Sequence, residues 1–115
     1  MDNQALFERV LQTFDNNDSD GLIALVTDDF EWQMLGDRAV NGKDELQKLF
    51  ADTGNTEVVA CTKEMKLLDG NKAACNGLVT MKNPNGDISE MYYCDLYEFE
   101  NGLLKKIVTY NLKKD

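Results

Sequence analysis

Asp95 is the residue whose type and surroundings most suggest chemistry. It stands in the run 90–110, EMYYCDLYEFENGLLKKIVTY, which reads as a two-strand hairpin turned at Asn101-Gly102. Strand side chains alternate, so Met91, Tyr93, Asp95, Tyr97 and Phe99 share one face. A carboxyl group framed by aromatic rings on an inward sheet face is desolvated, which favours its protonated form, and a neutral carboxyl can donate a hydrogen bond to a carbonyl. Asp95 is therefore the candidate catalytic residue or the polar anchor of a ligand pocket. The alternative is a structural aspartate satisfied by tyrosine or backbone donors.

Other residues are placed to line the same pocket. Tyr93 and Tyr97 share the face of Asp95, and Trp32 and Met34 share a face with Phe30 in an earlier alternating run. Asn76 lies in step with Ala74, Leu78 and Thr80 and is taken as a further ligand-binding group. Thr109 and Asn111 point inward if the hairpin register is regular, whereas a bulge would reverse them. Each aromatic could equally be a packing residue with one satisfied polar tip; their convergence on Asp95 is what favours a pocket. The chain has no histidine and its three cysteines, Cys61, Cys75 and Cys94, lack C-x-x-C spacing, so neither a metal site nor a cofactor is expected. Asn16, Asp18, Asp20 and Gly21 imitate the start of a calcium loop, but position twelve is Thr27 rather than a bidentate glutamate. That segment reads as an interhelical turn with capping acids.

The elements that must position these residues follow from periodicity. Leu6, Phe7, Val10, Leu11 and Phe14 recur at helical spacing and predict an amphipathic helix from about Asn3 to Phe14. A polar break over 15–20 supplies caps for a shorter helix bearing Leu22, Ile23, Leu25 and Val26. Phe30, Trp32 and Met34 then mark a half-buried strand, and Asn41-Gly42 precedes a third helix over 43–50. Beyond it, turn chemistry at Asp69-Gly70, Asn83-Pro84-Asn85-Gly86 and Asn101-Gly102 separates four strands, over 58–68, 72–81, 88–99 and 103–111. Such long strands imply strong curvature. Helices first and an antiparallel meander afterwards give an α+β fold with helices packed on one sheet face, in a single domain over residues 1–115.

Composition narrows the partners. Twelve basic against 21 acidic residues leave a formal charge of −9, which disfavours nucleic acid and anionic membranes. The longest apolar run, 22–26, is too short to cross a bilayer, and the first residues lack the pattern of a signal peptide, so a cytoplasmic protein is expected. Tyr92, Cys94 and Leu96, with Val108 and Tyr110 on the next strand, make the opposite sheet face apolar too. Helices suffice for one face only, so the other is expected to be covered by a second copy in a homodimer.

The order of elements, with Thr27-Asp28-Asp29-Phe30 before the first strand, Gly42 before the third helix and the run from Asp95 to Gly102, resembles the nuclear transport factor 2-like superfamily. Within it the likeness is to SnoaL-like and ketosteroid-isomerase-like proteins. The resemblance implies a cone-shaped, cystatin-like fold whose curved, mostly antiparallel sheet and helices enclose a pocket, and pairing through the outer sheet face. It also places Asp95 on the aspartic acid that donates a hydrogen bond to the oxyanion in the isomerase branch. The general base of that branch falls on Met34 or Gln33, and its tyrosine partner near Val10, so steroid-type proton transfer is not implied. The expected ligand is a small apolar or carbonyl-bearing molecule. An enzyme would be of isomerase, cyclase or lyase type without a cofactor, and the alternative is a non-catalytic dimerisation or interaction module.

Overall fold

The protein is seen in a computed structural model that describes residues 1–52 and 56–114. Helix α1 (Asn3–Asp15) starts where the Asp2 carboxylate accepts the Ala5 N–H at 2.8 Å. Its apolar stripe of Leu6, Phe7, Val10 and Leu11 is buried. The chain then turns through Asn17, whose backbone is left-handed (φ 54°), and Asp18 caps α2 (Ser19–Ile23) by accepting the Gly21 N–H at 2.9 Å. Of the acids that imitate a calcium loop, Asp18 thus serves as a cap and Asp20 lies in the first turn of α2, while Asn17 grips Val58 through both its side-chain amide atoms.

The second helix is shorter than expected. Leu25 and Val26 leave it because the sheet claims them: the Leu25 carbonyl accepts the Leu104 N–H, and Val26 opens strand β1 (Val26–Met34). Gly36 (φ 82°) helps turn the chain into β2 (Arg38–Asn41), a strand not anticipated from the sequence, which pairs antiparallel with β1. Helix α3 (Lys43–Asp52) follows and buries Leu46. Four long strands complete the fold: β3 (Glu57–Asp69), β4 (Lys72–Lys82), β5 (Ile88–Glu100) and β6 (Leu103–Lys113). Their limits agree with the expected ones to within two residues.

The strands form one curved six-stranded sheet in the order β2-β1-β6-β5-β4-β3. It is antiparallel throughout except between β1 and β6, which run parallel. The helices cover its inner face, where Leu6, Val10, Leu22, Val26, Phe30, Leu46, Phe99, Leu104 and Ile107 form the centre of the core. Phe7 of α1 lies against Tyr97 and Phe99, and Phe14 meets the Trp32 ring edge-on at 5.6 Å. On the outer face Met65, Leu67, Tyr92, Leu96, Tyr110 and Leu112 are exposed. Among the described residues no helix is long and apolar enough to cross a membrane.

A bulge decides what faces Asp95. The Asn101-Gly102 turn, with φ of 52° and 78°, joins Glu100 to Leu103 as a tight hairpin. A regular continuation would set Val108 opposite Asp95. Instead the register shifts between Glu98 and Phe99, with Leu104 opposite Phe99 and Lys106 opposite Glu98, so Lys105 is the extra residue. Thr109 consequently pairs with Asp95 and Asn111 with Tyr93. The sequence-based expectation that a bulge would turn Thr109 and Asn111 outward is thereby corrected: the bulge is what brings them in.

Candidate functional site

Strand β5 presents Tyr93, Asp95 and Tyr97 to the inner face, β6 adds Thr109, and β1 adds Trp32 and Met34. Asp95 is held by two hydroxyls. Thr109 Oγ1 lies 2.7 Å from its Oδ1, and the Tyr97 hydroxyl lies 3.3 Å from its Oδ2. Behind Thr109, the Trp32 indole Nε1 is 2.8 Å from Thr109 Oγ1.

The direction of this chain is set by chemistry. An indole N–H can only donate, so it spends a lone pair of the Thr109 hydroxyl, whose single proton is then given to Asp95. Oδ1 is therefore an acceptor. Any proton that Asp95 carries sits on Oδ2, the oxygen on the Tyr97 side. Burial raises the Asp95 pKa above its ordinary value, and the hydrogen bonds from Thr109 and Tyr97 pull against that rise by stabilising the carboxylate. Tyr97, only 3% exposed, is pushed well above the usual phenol range, first by burial and then by the neighbouring Asp95 charge.

Tyr93 shares the face of Asp95 but works elsewhere. Its hydroxyl donates to the Thr62 carbonyl at 3.2 Å and accepts from the Cys61 thiol at 3.3 Å, with the Cys75 sulfur 3.6 Å away. Burial, reinforced by the thiols, raises its pKa further, so Tyr93 is not poised to hand a proton to a neighbour of Asp95. Cys75 sits opposite Asp95 on β4, and burial raises its thiol pKa as well.

The remaining expected site residues separate. Met34 is partly buried against the core and pairs in register with Thr109. Asn111 lies on the Asp95 face, beyond Thr109, and is exposed. Asn76 does not join them. It pairs with Cys94 on the outer face, whereas Cys75 is the β4 residue opposite Asp95. The assignment of Asn76 to the Asp95 pocket is therefore corrected by the register. Alternation along β4 was legible, but both of its faces are apolar, with Ala73, Cys75 and Val79 inside and Ala74 and Leu78 outside, so the pattern could not say which face was inner.

Two clefts of about 380 and 460 Å³ open on the outer face, one floored by Asn76, Tyr92, Cys94 and Tyr110, the other by Leu67, Leu96 and Val108; Asp95 lines neither. Asp95 lies on the concave side, next to Tyr97 and, through Thr109, to Trp32; Phe7 packs on Tyr97 and Phe14 on Trp32. Periodicity gives the apolar face of the first helix, Phe7 and Phe14 included, but not that it meets Tyr97 and Trp32. Chemically, the arrangement can accept hydrogen bonds at Asp95 or carry a proton on Oδ2. Among the described residues no group of histidine, cysteine and acid side chains is placed to hold a metal ion.

Comparison with known proteins agrees with this architecture. The M. tuberculosis LEH-like epoxide hydrolase superposes with a TM-score of 0.82 at 16% identity, over 96% of this chain and 82% of that one. The Δ5-3-ketosteroid isomerase from Mycobacterium sp. gives 0.80 at 18% identity, covering 96% and 93%. An NTF2-like protein of unknown function from Cytophaga hutchinsonii gives 0.70 at 24% identity, covering 94% and 97%. At such identities the likeness is one of fold. No curated protein sequence matches the chain significantly. The family model described as the SnoaL-like domain matches residues 7–108, which span the helices, the sheet and the Asp95 hairpin alike. The chain therefore belongs to the SnoaL-like domain family, within the NTF2-like fold.

Proposed function

We propose that this SnoaL-like protein binds a small, largely apolar molecule on the concave side of the sheet, with Asp95 as the polar anchor. The observation that carries the reading is the relay from Trp32 through Thr109 to Asp95, which orients a mostly buried carboxyl among aromatic rings. A carboxyl so placed costs solvation that a packing residue would not, and a ligand group can return it. Trp32, Met34, Tyr97 and Thr109 shape the site around it, and Asn111 stands at its exposed edge.

If turnover accompanies binding, it is of isomerase, cyclase or lyase type, with Asp95 Oδ2 as the proton carrier and no cofactor. Among proteins of similar fold, one carries the name ketosteroid isomerase and another is called a putative SnoaL-like polyketide cyclase, which fits that range, whereas the epoxide hydrolase lies outside it. A steroid-type mechanism has no support, because Met34 and Gln33 carry no acid and Val10 is a fully buried aliphatic residue.

A second reading is favoured by a different observation, the apolar outer face: a non-catalytic module that acts by self-association. Homodimerisation through that face is part of both readings. Cytoplasmic placement belongs to the proposal too, since three free cysteines suit a reducing compartment.

Native mass spectrometry of freshly purified protein separates the two. A co-purifying small molecule that is lost from Asp95→Asn, with the fold intact, supports ligand binding at this site. A ligand-free protein whose Asp95→Asn variant is indistinguishable from the parent in every binding screen would overturn it in favour of the module.

A further inference from the structure

The chemical class of the ligand follows from what Asp95 lacks, an argument that rests on the ligand-binding reading above. Buried carboxylates are ordinarily paired with a cation. All twelve lysines and arginines fall within the described residues, and none forms an ion pair with Asp95. Lys63, which acts on the Cys75 thiol next to it, is tied to Asp15 at 2.7 Å, and Lys66 is tied to Glu8.

Asp95 is thus compensated by hydroxyls alone, and unevenly. Oδ1 receives a short bond from Thr109, but the 3.3 Å contact from Tyr97 to Oδ2 is long for a hydroxyl on a carboxylate, where roughly 2.5–2.7 Å is usual. A carboxylate offers about four acceptor positions, so Oδ2 keeps room for a stronger donor. Trp32 and Tyr97 approach through their polar edges, the indole N–H toward Thr109 and the phenol hydroxyl toward Oδ2, and neither brings a formal charge. The chain's charge of −9 draws cations toward it from solution.

The geometry points to a compact apolar amine, bound as its ammonium ion at Asp95 Oδ2, as the occupant of this site. A neutral carbonyl would need the opposite arrangement, with a proton on Oδ2 to donate. The titratable groups around Asp95 do not blur the distinction: Cys75 on β4 and Tyr97 on β5 are both raised by burial, Tyr93 is tied to Thr62, β1 and β6 contribute Trp32 and Thr109, and α1 packs here through Phe7 on Tyr97 and Phe14 on Trp32.

Three probes with the same bicyclic body test the assignment: 2-aminoindane, 2-indanol and 2-indanone, titrated into the full chain and followed by the amide and indole signals of Thr109 and Trp32 in NMR spectra. The amine is expected to bind about tenfold more tightly than either neutral probe at about pH 8, as a charge-assisted bond to a carboxylate exceeds a neutral one. Its advantage shrinks as pH falls and Asp95 takes up its proton, whereas the ketone gains. Asp95→Asn levels the three probes. The wild-type pH series decides the matter without any variant. Should the ketone or the alcohol bind as well as the amine, the amine assignment fails while ligand binding stands. If none of the three perturbs Thr109 or Trp32, the binding reading fails and the assignment falls with it.

Discussion

At the scale of the residue, Asp95 is held by hydroxyl donors rather than by a cation, and this fixes how its charge is linked to folding. Burial lifts its pKa in the folded chain above the ordinary 3.8, so the folded state binds this proton more tightly than the unfolded state does. The stability contributed by that proton is fully present below the unfolded value and is lost as pH rises through the folded one. Asn in place of Asp keeps an oxygen to accept from Thr109 and removes the charge. Asp95→Asn is therefore expected to melt no lower than the parent at neutral pH. It should also lack the parent's gain in stability relative to the variant on the acid side, as thermal unfolding across a pH series would show. A melting temperature well below the parent's at neutral pH would mean that the ionised carboxylate, not merely its shape, holds the site together. The inward placement of Asp95 was legible in the sequence because it alternates in step with Tyr93, Tyr97 and Phe99. The identity of its partners was less so, since Thr109 reaches it only through a shift in strand register.

At the scale of the element, two irregularities carry the site. The first is the bulge at Lys105. Its trace is visible in Leu104-Lys105-Lys106-Ile107, where two inward apolar residues stand three apart with a lysine pair between, a spacing that strict alternation does not allow. The second is Gly77, opposite Tyr93 on β4. A Cβ there would run into the Thr62 carbonyl, the same oxygen that accepts the Tyr93 hydroxyl. Because the obstacle is backbone, relief requires β3 to move away. Gly77→Ala is expected to cost about 3 kcal/mol in chemical denaturation and to free the Tyr93 hydroxyl, detectable as a changed phenol signal. An Ala variant as stable as the parent would show that β3 is not pressed against β4 there. The long strands were readable because turn residues punctuate them. β2 was not, since its four residues carry no alternation to detect, and the start of β1 looked helical because Val26 continues the apolar run of the helix before it.

At the scale of the whole molecule, the sheet is apolar on both sides while the helices cover only one. Met65 and Leu67 on β3, Tyr92 and Leu96 on β5, and Tyr110 and Leu112 on β6 remain exposed on the outer face. A standard interface takes roughly 800 Å² from each partner, about an eighth of the 6898 Å² that this chain exposes. An isologous pairing of this face against itself would supply such an area without any new element. The net charge of −9 works against association, so salt should strengthen it by screening the repulsion, the reverse of what a contact held by ion pairs would show. Sedimentation equilibrium is expected to find a dimer that tightens with added salt. Leu96→Lys combined with Tyr110→Lys should give a folded monomer, because both side chains already face solvent and their replacement leaves the core untouched. A parent chain that stays monomeric at every salt concentration would remove self-association from the account. The concave site would then have to operate in a single copy, with Asp95, Thr109 and Trp32 unchanged because all three lie on the opposite side of the sheet.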